Sequence, residues 1–246
     1  ALEKMNIENL DFDLLKSPNN ILGIEYTKAV LQSKANIDIF PIIRQGAAYN
    51  DVTLYEENSS ASAIRQAITE GKLKKIKSCV PSFVYDDLPD SLPDADDLIF
   101  YAAIKASRDE LGRILDCTEG LENRIKALTR DCGSLECLIN KIKTKRYTRT
   151  RLQRILLANM LGINERFIRR CLSSELYLKV LAVNKNRPEV LSAIKGENYI
   201  PLITRKADFS KLSGVAEECF LKDVTALEIF DFVAKTKTNE FEMKSV

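Results

Sequence analysis

The chain contains no histidine, which removes both the commonest general base and the commonest zinc ligand. Whatever chemistry it performs runs without imidazole. Its six cysteines, Cys79, Cys117, Cys132, Cys137, Cys171 and Cys219, stand at irregular spacings with no CxxC pair, so a thiolate metal site lacks its signature and no metal ligand is assigned. They read as buried free thiols inside apolar helical patterns. No run of about 18 apolar residues occurs, which argues against a membrane-spanning helix. The opening ALEKMNIENLDFDLLK is neither basic nor apolar enough for a secretory signal. A cytoplasmic protein with no membrane partner is expected. Internal repeats and low-complexity tracts are absent as well. Because the first residue is Ala1, in what reads as the interior of a helix, we expect a fragment of a longer protein.

What is present is ordinary in bulk and unusual locally. At 246 residues, 45% hydrophobic and 29% charged, the chain has the composition of a globular protein with room for two domains. Its formal net charge is only +2, yet residues 141–170 hold ten Lys/Arg against one acid, Glu165, leaving the rest of the chain at about −7. Seven of the fourteen positions from Lys141 to Arg154 are basic, in a segment reading KIKTKRYTRTRLQRILL to Leu157. Thr148 or Thr150 can cap a helix through Leu152, Ile155, Leu156 and Met160, which puts Arg149, Arg151 and Arg154 in or near its first turn. Cations oppose the helix dipole there. Their clustering is better explained if phosphate is the missing neighbour, held by guanidinium forks and free N–H groups, although a merely solvated basic face carries the same charge pattern.

Residues 1–79 read as part of an α/β domain, with a helix over Ile21–Ser33, a strand over Ile37–Arg44 and a helix over Ser62–Glu70 closed by Gly71. The strand is nearly all apolar, as when both faces are covered, but Pro41 favours a sheet edge. One strand makes no sheet, so the missing strands must come from a partner or an absent N-terminal segment. Residues 80–97 are acidic and punctuated by Pro81, Pro89 and Pro93, and read as a linker. Residues 98–246 read as mainly helical: Leu98–Ser107, Glu110–Asp116, Leu121–Leu128, Ser134–Ile142, Arg151–Leu161, Glu165–Asn184 and Ala226–Lys235, with a strand-like segment at Tyr199–Thr204.

Three short motifs suggest ligand contacts. SPNNILGIEY (Ser17–Tyr26) sets Asn19 and Asn20 just before a helix with Gly23 one turn in, where glycine weakens a helix unless something approaches closely. Arg44 ends the expected strand and is followed by Gln45, at the edge where ligands of open α/β sheets bind. Asn58–Arg65 (NSSASAIR) puts Ser59, Ser60 and Ser62 before or at a helix start with Arg65 in its first turn, an arrangement that can nest an anion. Singly, each is also explained by helix capping or surface charge.

In series they say more. SPNNILGIEY, PIIRQGAAYND, SSASAIRQAI, EGLENRI (Glu119–Ile125), TKRYTRTRLQRILL (Thr144–Leu157), LYLKVLAVNKNRPEVLSAI (Leu176–Ile194) and Pro201–Arg205 together resemble the bacterial tRNA(Met) cytidine acetate ligase family, of the nucleotidyltransferase superfamily, over nearly the whole chain. The resemblance implies an incomplete Rossmann-like nucleotidyltransferase half followed by a mainly helical tRNA-binding half. It implies that ATP, with Mg²⁺, and acetate give acetyl-adenylate, and that the acetyl group passes to the wobble cytidine of elongator tRNA(Met). On that footing Asn19, Arg44 and Gln45 contact ATP; Ser60, Ser62 and Arg65 match a serine-containing phosphate motif; and Lys143, Lys145, Arg146, Arg149, Arg151 and Arg154 hold tRNA. Asn50 stands where the family usually carries histidine, and the family's N-terminal strand and HxGH-type motif have no counterpart here. The chain by itself is therefore expected to be inactive, with the missing N-terminal segment as a partner, and no residue is assigned to acyl transfer. Two other readings compete: a non-catalytic RNA-binding protein with a degenerate nucleotide fold, and an adenylyltransferase acting on a small molecule.

Overall fold

The computed structural model describes residues 17–43, 45–46, 51–56, 58–187, 189–197, 200–238 and 244–245, and the chain divides into two units, before and after the Leu92–Pro93 bond. In the first unit α1 runs Pro18–Ser33, with extended Ser17 as N-cap and proline at the first helical position, where its fixed φ suits the turn and its missing N–H costs nothing. Asn19 and Asn20, expected to precede the helix, therefore lie within its first turn. No residue of α1 is buried. The strand expected over Ile37–Arg44 is not formed: residues 37–43 have no ladder partner among the described residues, and Phe40, Ile42 and Ile43 are 85%, 92% and 87% exposed. The composition suits a strand, but a strand exists only by exchanging backbone hydrogen bonds with a neighbour. Arg44 and residues 47–50 lie outside the described residues.

Three short helices follow among the described residues of this unit: α2 (Ala61–Thr69), α3 (Leu73–Ile76) and α4 (Ser82–Asp86). Ala67, Ile68 and Ile76 make a small core against which Leu54, Leu73, Val80, Tyr85 and Leu88 pack. Pro81 does not block structure in the proline-rich stretch, because it is the N-cap of α4 and a helix start needs no N–H from it.

Apolar spacing decides where the larger core lies. In the second unit α5 (Asp96–Lys105), α6 (Arg108–Gly112), α7 (Leu121–Leu128), α8 (Leu135–Ile142) and α9 (Arg149–Met160) converge on one cluster containing Phe100, Leu111, Ile125, Leu138, Leu152 and Ile155. Helix α8 shows how: Leu135, Leu138, Ile139 and Ile142 follow the i, i+3, i+4, i+7 pattern and all four are buried. Starts are set by side chains. Ser107 and Glu110 form a reciprocal capping box on α6, Ser134 caps α8, and Thr148 caps α9, as the sequence allows.

Beyond α10 (Glu165–Leu172) the expected long helix to Asn184 does not continue. Strand β1 (Leu178–Lys179) and β2 (Ala182–Val183) follow, then α11 (Glu189–Glu197), β3 (Leu202–Ile203), α12 (Gly214–Ala234) and β4 (Lys244–Ser245). β1 pairs with β3 and β2 with β4, both in parallel. A short apolar run serves helix or strand alike, and pairing with a segment over twenty residues away selected the strand. Helix α12 starts well before the expected Ala226, because its first turns bury Ala216 and Phe220, the latter packed edge-on against Tyr177 with ring centroids 5.3 Å apart. All six cysteines are free, but only Cys117 is fully buried; burial raises its thiol pKa to about 11, which makes it inert. Among the described residues no helix is long and apolar enough to cross a membrane.

Truncating the fully buried Leu138 to alanine is expected to cost about 2–5 kcal/mol, whereas Leu172→Ala, at a position 83% exposed, should stay within about 0.5 kcal/mol. Urea unfolding of the two variants checks the contrast.

Candidate functional site

In the first unit the α1 motif lines a groove of about 1140 Å³ between α1 and residues 39–43, with Asn19, Asn20, Gly23 and Tyr26 on one side and Phe40–Ile43 on the other; Gln45 and the residues at the start of α2 are not part of its lining. Asn19 is exposed in the first turn of α1. Gly23 has open space where a Cβ would sit, so nothing among the described residues requires glycine there. Gly46 is different. Its φ of +84° and the 2.6 Å approach of a hypothetical Cβ to the Asn58 Cβ leave room only for glycine, and this contact lays the segment holding exposed Gln45 against the residues just before α2.

Residues 51–56 and 58–60 precede that helix and are tied together by side-chain hydrogen bonds. The Asp51 carboxylate accepts from Thr53 N–H at 2.9 Å and from the Tyr55 hydroxyl at 2.8 Å, bonds that hold its pKa below the usual range, the Thr53 N–H most of all. Ser60 is 1% exposed. Its hydroxyl donates to the Asp51 carbonyl and accepts from Ala63 N–H at 3.0 Å. The serine thus fixes the helix start from inside, while half-buried Ser62 and exposed Arg65 remain facing outward. No acid among the described residues pairs with the Arg65 guanidinium. Gln45 and the α2 serines are thereby brought to one end of the unit. Arg44 lies outside the described residues.

In the second unit the basic stretch is not what its spacing implied. The arginines at the start of α9 have neighbours, and these are carboxylates and carbonyls. Arg149 makes a two-pronged pair with Glu136, one bond at 2.9 Å; Arg146 pairs with Glu119; Arg154 lies 3.7 Å from Asp116. Arg151 donates to the Asp116 carbonyl at 2.6 Å and stands 5.4 Å from the Tyr147 ring centroid, within cation–π range. Phosphate is thus not needed to explain the clustering: acids 13 to 38 positions upstream stand beside these arginines, and such pairings do not show in local sequence. The Arg149 hydrogen bonds, followed by that of Asn140, hold the Glu136 carboxyl at about 2, and Arg146 holds that of Glu119 down likewise. All these pairs are solvent-exposed, with the Arg154 side chain 72% accessible, so solvent and salt screen them and each contributes little to stability. Lys143 and Lys145 are exposed and make no ion pair with any described residue.

The HIGH nucleotidyl transferase family model matches residues 1–245. A tRNA(Met) cytidine acetate ligase of Thermoanaerobacter sp. (strain X514) is 31% identical over 97% of this chain and 61% of its own length. The protein of that name from Clostridium perfringens is 35% identical over 89% of this chain and 54% of its own. The chain therefore spans about three-fifths of the length of the curated relatives it matches. Among solved structures, the apo form of Thermotoga maritima TmcAL superposes with a TM-score of 0.83 at 22% identity, covering 94% of this chain and 61% of that one. The same protein bound with alpha-thio ATP gives 0.80. At this identity the structural likeness is one of fold. Matched along virtually its whole length, the chain belongs to the HIGH nucleotidyl transferase family.

Proposed function

We propose that this chain is the larger part of a cytoplasmic tRNA(Met) cytidine acetate ligase, which activates acetate with ATP and acetylates the wobble cytidine of elongator tRNA(Met). The observation that carries the reading is the extent of the likeness to relatives bearing that name, 31% identity along 97% of the chain. In the first step an acetate oxygen attacks the α-phosphorus of ATP and pyrophosphate leaves. In the second, the cytidine amine attacks the acetyl carbonyl, AMP leaves, and the amine loses a proton. Charge accumulates on phosphate oxygens, which guanidinium groups and helix N–H groups stabilise without a general base, consistent with a chain lacking histidine.

In this reading Asn19, Arg44 and Gln45 contact ATP, and Ser62 and Arg65 receive phosphate at the start of α2, which Ser60 holds in place from beneath. The groove beside α1 is large enough for a nucleotide. Its exposed apolar wall of Phe40, Ile42 and Ile43 calls for covering strands, which we assign to a further segment of the same protein, together with the family's histidine-bearing motif. Among the described residues no group of three or more His, Cys, Asp or Glu can hold a metal, so Mg²⁺ is given no protein site and no step here. On the RNA side Lys143 and Lys145 offer free charge. Arg146, Arg149, Arg151 and Arg154 are held in position by pairs weak enough for phosphate to share or replace.

The deciding experiment incubates the full-length protein, and separately these 246 residues, with labelled acetate, ATP, Mg²⁺ and bacterial tRNA, and scores acetylcytidine in digested RNA. Product from the full-length protein alone is the expected result; none from either, with salt-dependent tRNA binding intact, would leave a non-catalytic RNA-binding protein. Removing a competing carboxylate by Glu136→Gln should tighten tRNA binding by up to about fivefold at low salt, measured by filter binding. Since the Glu136 carboxyl sits at about 2 against an ordinary 4.5, its pair contributes fully above about pH 4.5 and is lost as pH falls toward 2. An NMR titration should place the Glu136 midpoint near 2, returning toward 4.5 in Arg149→Ala.

A further inference from the structure

A second cationic site lies in the helical unit, outside the 143–154 stretch. The carbonyl of Arg113, the residue closing α6, accepts the Glu165 N–H at 2.8 Å, which joins the end of α6 to the first residue of α10. That junction lines a cavity of about 870 Å³ with four arginines, Arg113, Arg166, Arg169 and Arg170, against one acid, Glu165. Arg169 is engaged by Glu165 and Arg170 by Glu218 at 2.8 Å. Exposed Arg166 has no ion pair with any described residue, and exposed Arg113 makes none either, though its charge is felt by the nearby Glu110 carboxylate. The wall therefore keeps a net positive charge that an anion entering the cavity would meet.

The neighbouring cavity, about 640 Å³, shares Arg113 with this one and adds Lys105, the acid Glu110 and Tyr101, the tyrosine being 63% exposed. Asn164 lines both cavities. Its Oδ1 accepts the capping bond from Phe167 N–H at 2.8 Å, so its amide N–H₂ end is the one left for a ligand. Cations that track a backbone, followed by an exposed aromatic on which a base can stack and an amide able to read a base edge, are the components of a single-strand RNA site.

We infer that the groove from Arg166 through Arg113 to Tyr101 is a second RNA contact, binding phosphate at the arginines and an unpaired nucleotide at the tyrosine. This rests on the reading of the chain as tRNA-binding. It gives the RNA two anchoring points, one at the start of α9 and one beyond its end.

Binding of an unmodified tRNA(Met) transcript to the full chain, measured across a salt series, tests it. Arg113→Glu/Arg166→Glu should weaken binding at least tenfold and reduce the slope of log K against log salt by about 1.5. Tyr101→Ala should weaken it about five- to tenfold with the slope unchanged. Circular dichroism checks folding, and if the double variant unfolds, Arg113→Gln/Arg166→Gln takes its place with a smaller expected loss. If these changes leave affinity and slope untouched while Arg149→Glu/Arg151→Glu lowers both, the groove is not an RNA contact and the tRNA reading survives. If the unaltered chain does not bind the transcript, both readings fall.

Discussion

Leu152, Ile155 and Leu156 bury one stripe of α9 in the helical core, and the basic character of this protein hangs from that stripe. With those three side chains locked against α5 and α8, the helix cannot rotate. Its first two turns must therefore present Arg149, Arg151 and Arg154 where Glu136, Asp116 and Thr118 stand. Burial supplies the free energy, and the ion pairs, being exposed, supply only direction. Under the function proposed above, arginines already extended and oriented would lose less rotamer freedom on meeting phosphate, and their exposed carboxylate partners would be displaced readily.

The same core orders the far end of α9. The backbone after Met160 turns through Gly162 at φ +63° into Asn164, which caps α10, and the Arg113 carbonyl completes that start. Two helix ends and one helix start meet there because each has orphan backbone groups the other can satisfy. Arginines separated by fifty residues in sequence thereby come to one wall.

The first unit obeys a different constraint. Its small core of Ala67, Ile68 and Ile76 holds α2, α3 and α4 together, but α1 buries nothing and residues 37–43 hold out apolar side chains with no ladder partner among the described residues. A helix and an extended apolar segment side by side are components from which a layered α/β domain is built. The end that carries Gln45 and the α2 serines, by contrast, is locally built: the Asp51 loop, the Gly46–Asn58 contact and the buried Ser60 cap hold one another.

Much of this was legible in the sequence, and the boundary is instructive. Helices α7, α8 and α9 follow from i, i+3, i+4 spacing, and the Thr148 cap from one hydroxyl three residues ahead of a backbone N–H, because both are interactions within a single turn. The strand over Ile37–Arg44 and the long helix over Glu165–Asn184 were misread for one reason: an apolar run states that it will be buried without stating against what. Ser60 looked like a ligand contact in the same way, since a hydroxyl before a helix serves a cap or a phosphate equally until burial decides. The local charge of residues 141–170 and the absence of imidazole were determined by the sequence alone, for composition does not depend on folding. Which arginines find carboxylates, and which converge unpaired beside Asn164, only the tertiary structure decided, because those partners lie 13 to 53 residues apart and meet only when the helices pack.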